Sequence, residues 1–124
     1  MRQSLSIGKL IYSKLHEINQ LGTHIYPLIA EQGTTTPYAI YSRTGITPSN
    51  NKDGNYQDTV YYEVKVVANT YYSSVALAEK VREKLTMRGY TFEDMTVWSN
   101  LTSATEDWQD NEYVQTLQFE LEIN

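Results

Sequence analysis

The sequence predicts a single α+β domain over residues 1–124, and three observations lead to this fold class. Apolar and polar residues alternate from Val60 to Ala68, which is the pattern of a half-buried strand. After Thr70 the apolar residues recur at helical spacing, which predicts an amphipathic helix, the second of the chain, that ends before Gly89. The length suits one domain with its own core. The inward arc of this second helix is predicted to hold Val75, Ala78, Val81, Arg82 and Leu85.

The N-terminal third predicts one helix and two strands. Ser4 is a candidate N-cap for a helix from about Leu5 to Gln20, which Leu21-Gly22 would end. Ile25 to Leu28 is a short extended segment that its proline confines to an edge or a strand end. Pro37 to Arg43 is rich in residues that favour strands, so it is predicted to be the second strand.

The strongest loop signal runs from Gly45 to Gln57, where Pro, Ser, Asn and Gly cluster. A loop of this length is usually functional or mobile in a compact domain, and here it is predicted to form a long projecting β-hairpin. After the second helix, Met95 to Ala104 and Tyr113 to Ile123 are predicted to pair through a turn at Thr105 to Asn111. The predicted order is α-β-β-β-α-β-β, an antiparallel or mixed sheet packed by two helices.

Composition excludes several classes of function. There is no cysteine, which excludes a disulfide framework and a thiolate metal site. The net charge of −5 has the wrong sign for neutralising phosphates, so we expect no tight nucleic-acid binding. No secretory signal and no run of 18 apolar residues is present, which predicts no membrane association and a cytosolic protein as made.

The search for catalytic or metal chemistry predicts no enzyme and no cofactor. A calcium loop starting at Ser49 would end on Val60 instead of the required glutamate. His16 and His24 are spaced for helix-end or surface roles rather than as a ligand pair. Four carboxylates cluster in the last turn, where a solvated tip that protects a sheet edge is favoured over a divalent-ion site: Glu106, Asp107, Asp110 and Glu112.

Several segments together resemble the tail completion proteins (tail terminator or head-tail joining proteins) of long-tailed bacteriophages and prophages. The matching segments are Ile25-Tyr26-Pro27-Leu28, Thr36 to Tyr41, the strand Val60 to Ala68, and Ala76 to Val81 with Leu85. The resemblance covers nearly the whole chain. It implies a small structural α+β subunit that assembles as a hexameric ring on the tail tube, stops tube polymerisation and offers the surface for head attachment.

The resemblance also implies partners and a location. The partners are further copies of the chain, the tail tube protein and a head-completion protein, and the free protein is either a hexamer or a monomer until a tube end templates it. The location is the virion tail, and the bacterial host cytoplasm during assembly. A projecting hairpin could serve the neighbouring subunit, and its candidate contact residues are Gly45, Pro48, Asn51, Asp53, Gly54 and Tyr56. A second candidate contact turn contains Glu106, Asp107, Trp108 and Asp110.

Two other hypotheses remain open at this point. The eleven tyrosines are compatible with a small ligand-binding module, in which Tyr38, Tyr62 and Tyr113 would line a concave sheet face around an apolar molecule. A hydrolase using the carboxylates between Glu106 and Glu112 has only charge clustering in its favour.

Overall fold

The structure is a computed structural model that describes residues 4–50 and 56–124, and it confirms an α+β fold. Two helices pack on a six-stranded mixed sheet whose strand order is β1-β2-β3-β6-β5-β4. Among the strand pairs of these residues, only β1–β2 is parallel. In chain order, a 3-10 turn at Ser4–Ser6 precedes α1 (Gly8–His16), β1 (Ile25–Pro27), β2 (Tyr38–Asn50), β3 (Tyr56–Ala68), α2 (Tyr71–Leu85), β4 (Met87–Phe92), β5 (Met95–Gln109) and β6 (Glu112–Ile123).

Strand β3 lies at the centre of the sheet and carries the predicted alternation. Its helix-facing residues are all at most 4% exposed: Val60, Tyr62, Val64, Val66 and Ala68. On β6 the corresponding face buries Leu117, Phe119, Leu121 and Ile123, as the sequence predicts. In the described part of the chain no helix covers the opposite face of the sheet, which is mostly polar, although Val67 and Val114 are buried there. We call these the helix-side face and the open face.

Helix α2 is capped and packed as an amphipathic helix, but its buried row differs from the prediction. The Thr70 hydroxyl accepts a hydrogen bond from the Ser73 backbone N–H at 3.2 Å, which satisfies one of the free donors of the first turn. Leu77 is buried, although the predicted arc omitted it, and Arg82 is exposed. Because Ser74, Leu77, Val81 and Leu85 follow the three-to-four-residue spacing of one helix face, the helix is rotated slightly from the predicted orientation.

Helix α1 is shorter than predicted, and Ser4 does not cap it. The helix starts at Gly8 without a side-chain cap, and the Ser4 hydroxyl is buried with no partner among the described residues. After His16 the chain continues in tight turns, which place Ile18 and Leu21 in the core. The apolar spacing extended the predicted helix to Gln20 because turns of three residues place side chains at nearly the helical interval.

The predicted loop from Gly45 to Gln57 is wrong over most of its length. Strand β2 continues to Asn50 and β3 begins at Tyr56, and the two strands pair from Gly45–Tyr61 to Asn50–Tyr56. Thr44 is an extra residue between Arg43 and Gly45. This bulge shifts by one residue the alternation of peptide groups that face β3 and peptide groups that face away from it. Pro48 therefore lies at a position that faces away from β3, so its missing N–H costs the β2–β3 ladder no hydrogen bond.

The predicted turn from Thr105 to Asn111 is also mostly strand. The turn itself is confined to Asp110 and Asn111, which have φ angles of 51° and 65°. Both residue types tolerate this left-handed geometry, so a two-residue connection closes the hairpin.

Strand β4 was not predicted from the sequence, and the structure therefore has one more strand than the predicted order. Gly89 lies inside β4 with a φ of 69°, at a register shift, and is not the stop of α2.

Candidate assembly surfaces

The two predicted contact segments lie at opposite ends of the sheet. The β2–β3 hairpin projects beyond the end at which Asp58 pairs with Ile123. The β5–β6 hairpin turns beyond the other end, where Ala68 pairs with Tyr113. The structure therefore keeps the two segments apart, and they define two separate surfaces.

Residues of the first segment follow the β2–β3 ladder. Gly45 pairs with Tyr61, and exposed Pro48 pairs with Asp58. Tyr56 is the first residue of β3 and pairs with Asn50. Asn51, Asp53 and Gly54 lie outside the described residues.

At the second segment, Glu106 ties the hairpin to the first turn of α2. Its carboxylate accepts hydrogen bonds from the Tyr71 hydroxyl at 3.0 Å and from Gln115 Nε2 at 3.1 Å. Gln115 Nε2 also lies 3.1 Å from Ser74 Oγ. The hydrogen bond to Glu106, followed by the charge of that carboxylate, raises the pKa of Tyr71. Glu106 therefore fixes the position of the hairpin relative to α2.

The neighbouring Asp107 lies on the open face and is held locally. Its carboxylate accepts from Gln109 Nε2 and from the Trp108 backbone N–H, both at 2.8 Å, and these bonds lower the pKa of Asp107. Trp108 follows on the helix-side face and is 57% exposed. A tryptophan this exposed at a hairpin end is available for contact with another molecule.

The acidic residues of this hairpin do not converge on one point. Glu106 faces α2, whereas Asp107 lies on the other face, and Asp110 is in the turn. Within the two described ranges, no group of three or more His, Cys, Asp or Glu side chains is arranged to hold a metal ion.

The two histidines contact backbone oxygens near the end of α1. His16 Nδ1 lies 2.9 Å from the Gly22 carbonyl oxygen, and His24 Nδ1 lies 3.3 Å from that of Pro37. The first contact connects the end of α1 to the turn before β1, and the second connects the residue before β1 to the residue before β2.

The predicted tyrosine-lined face is not formed. Tyr62 and Tyr113 lie on the helix-side face, whereas Tyr38, which pairs with Val67, lies on the open face. Tyr62 is also 4% exposed, and a Cβ on Gly8 of α1 would lie 3.0 Å from its hydroxyl oxygen. Since side chains alternate across a sheet, these three tyrosines cannot surround one ligand.

Two stretches of sheet edge have no strand partner in the described part of the chain. Strand β1 covers β2 only at Ala39–Tyr41, which leaves the edge of β2 free from Ser42 to Asn50. Strand β4 reaches along β5 only as far as Ser99, which leaves the edge of β5 free from Asn100 to Gln109. The part of the β5 edge from Thr105 to Gln109 was missed because these residues were assigned to a turn, whereas Asn100 to Ala104 were predicted as strand.

The hydrogen-bond pattern shows which peptide groups face outward at these two edges. Ala39 N–H donates to His24 O and Leu28 N–H donates to Tyr41 O, so odd-numbered residues of β2 face outward before the bulge. After the bulge the outward positions are Ile46 and Pro48. Thr96 exchanges hydrogen bonds with Asn124 next to β6, so the outward positions of β5 beyond its own bulge are Ala104, Glu106 and Trp108.

Charge is distributed unevenly between the two sides of the sheet, the one with β2 and the one with β5 and β6. Residues 89–124, which include β5 and β6, contain eight acidic residues and no Lys or Arg. Residues 42–50, along the free edge of β2, contain Arg43 and no acidic residue. The two free edges are therefore complementary in charge.

These features define a class of protein: a small α+β domain with a curled mixed sheet, helices on one face and free edges at two corners. No helix in residues 4–50 and 56–124 is long and apolar enough to cross a membrane.

The comparisons with known proteins agree with this class. No protein-family model matches the chain, and none of the curated proteins matches it in sequence. The fold is similar to that of a chain from the virion of a native gene transfer agent particle, with a TM-score of 0.78 and 12% identity over 97% of this chain and 96% of that chain. A second solved structure aligns with a TM-score of 0.61 and 14% identity over 100% of this chain and 96% of that chain.

Proposed function

We propose that this chain is a structural protein of a phage or a phage-like particle, and that it closes the tail tube as a ring to which the head attaches. The observation that carries the proposal is the likeness of fold, over nearly the full length of both chains, to a component of a gene transfer agent virion. The family resemblance of the sequence supports the same function independently. In this proposal the chain acts in the virion tail and has no catalytic step.

The described surfaces are compatible with a ring subunit. A ring needs heterologous contacts, in which two different surfaces of each copy meet. This chain has two such surfaces at opposite corners of its sheet, each with free backbone groups. The proposed partners are six copies in a ring, the tail tube protein and a head-completion protein.

Deletion of the gene from the phage or prophage that encodes it tests the proposal. We expect tail-less capsids and tails of abnormal length in electron micrographs, because nothing would stop tube growth or join head to tail. Supplying the wild-type gene in trans is the control and should restore infectious particles. Normal particle yields from the deletion strain would refute the proposal.

A further inference from the structure

We infer that neighbouring copies join edge to edge, the free edge of β5 in one copy pairing with the free edge of β2 in the next, offset by six residues. This inference rests on the ring assembly proposed above and identifies the contact that builds it. The occupant of each free edge is therefore a second copy of this chain. The argument uses strand direction, register, charge and the space that β1 and β4 occupy.

Strand direction already suits such a join. Strands β2, β3, β6 and β5 are successively antiparallel, so β5 runs opposite to β2. When copies stand side by side in the same orientation, β5 of one therefore meets β2 of the next as an antiparallel neighbour. The hydrogen-bonding alternation of the sheet then continues from copy to copy.

The offset follows from the two covering strands. Side chains alternate between faces, so only an even offset keeps the helix-side face continuous. Strand β1 occupies the edge of β2 in the rows of the sheet that contain Val64 to Val66 of β3. Strand β4 occupies the edge of β5 as far as the row that contains Val60. An offset of four residues would place β1 against the last residues of β5. Six is the smallest even offset at which both covering strands lie beyond the ends of the join.

The same offset pairs the outward positions of the two edges. Positions on β5 and β2 can be compared by the β3 residue that lies in the same row across the sheet. Trp108 lies in the row of Ala68 and Arg43 in the row of Tyr62, so a shift of six residues between copies brings Trp108 opposite Arg43. Glu106 is likewise paired with Ile46, and Ala104 with Pro48. All six residues lie on the helix-side face.

Side-chain chemistry supports this register. Arg43 is exposed on the free edge of β2, where its Nη1 donates a hydrogen bond to the Leu5 carbonyl oxygen at 3.0 Å, and Trp108 is 57% exposed on the free edge of β5. An arginine over a tryptophan ring is a favourable cation–π pair. Pro48 has no N–H, but its carbonyl oxygen can still accept from Ala104, so the ladder loses one bond and continues.

The geometry can also close into a ring. Each copy adds four strands at about 4.8 Å spacing, or about 19 Å, and six residues at about 3.4 Å give a rise of about 20 Å. The strands must then tilt by about 45° from the ring axis, which is at the upper end of the 35–45° typical of closed barrels. A larger offset between copies would require a strand tilt above the range in which sheets close into barrels.

Cysteine trapping tests the join, since the chain has no native cysteine. Ala104→Cys and Pro48→Cys are made in separate chains and mixed at high protein concentration under mild oxidation. Directly opposed residues of an antiparallel hydrogen-bonded pair have Cα atoms about 5.5 Å apart, which is within disulfide range. We expect a disulfide-linked heterodimer. A chain carrying both substitutions should form linked oligomers, because within one chain the two positions are three strands apart.

Thr47→Cys is the matched control for Pro48→Cys. Thr47 is the adjacent exposed residue, but its side chain lies on the open face, so it should link to Ala104→Cys at least tenfold less efficiently. Equal linking through positions 47 and 48 would refute the register. Linking of Ala104→Cys only to itself, or no linking at any concentration, would refute the pairing.

These failures can be told apart from failure of the proposed function. If infectious particles require the gene but positions 48 and 104 do not link, ring capping remains and this join is wrong. If the positions link but particle yields are normal without the gene, the join remains and the capping function is wrong.

Discussion

Gln115 illustrates how individual polar residues fix the surfaces described above. Gln115 is 9% exposed on the helix-side face of β6, and its Nε2 donates to both Ser74 Oγ and the Glu106 carboxylate. A buried hydrogen-bond donor of this kind holds two elements in one relative position, because losing its partners leaves polar groups unsatisfied. This role could not be predicted from the sequence, since the strand alternation only places Gln115 among apolar neighbours.

Replacing Gln115 with methionine should destabilise the fold. Ser74 Oγ would lose a partner in the core, so we expect the free energy of unfolding to fall by about 1 to 2 kcal/mol in urea denaturation. Gln118→Met is the control, since Gln118 lies on the open face of the same strand. It should change the free energy of unfolding by less than about 0.5 kcal/mol. Equal losses in the two variants would mean that the network adds no specific stability.

At the scale of elements, the sequence predicted the core more accurately than the edges. The alternation in β3 and β6 is imposed by burial on one face, so Val60 and Phe119 could be placed from their spacing. The hairpin arms carry no such constraint, because turn-forming residues such as Pro48 and Asp107 are tolerated in exposed strands at outward or solvated positions. Both candidate contact segments were consequently predicted as loops, and the free edges of β2 and β5 were not foreseen.

Shortening the β2–β3 hairpin tests the role of this arm. Thr47 and Thr59 pair directly, so an Asn-Gly turn can replace residues 48–58. We expect a folded monomer, because the core of β3 from Val60 onward is retained, and loss of head-tail joining in a complementation assay. Circular dichroism verifies folding of the variant.

The matched control for the shortened hairpin replaces only residues 51–55 with glycine and serine, which leaves the β2–β3 ladder intact. Joining by this control but not by the shortened chain would assign the contact to the ladder. Loss of joining in both would assign the contact to residues 51–55. Normal joining by the shortened chain would exclude this arm from assembly.

At the scale of the whole molecule, the main feature is the separation of charge. The net charge of −5 combines an acidic C-terminal third with a preceding part in which basic residues outnumber acidic ones. Copies that meet through unlike edges, β5 of one with β2 of the next, gain from this separation, whereas copies that meet through two β5 edges are repelled. Charge thus favours heterologous over two-fold symmetric contacts.

Self-association should therefore weaken with salt. Between 0.1 M and 1 M NaCl the screening length falls from about 10 Å to about 3 Å, so we expect the dissociation constant in sedimentation equilibrium to rise severalfold. Arg43→Gln should remove much of this salt dependence, whereas Arg82→Gln, on the exposed side of α2, should retain it. A salt response unaffected by Arg43→Gln would show that the charge effect lies elsewhere.

The opposite projection of the two hairpins gives any cyclic assembly a direction. Copies related by a single rotation axis all point the same way, so every Asn50–Tyr56 pair lies toward one rim and every β5–β6 turn toward the other. One rim then presents the acidic turn around Asp110 and the other presents a different set of residues. A ring with two unlike rims can accept a growing polymer on one side and refuse it on the other, which is the vectorial property that a terminator requires.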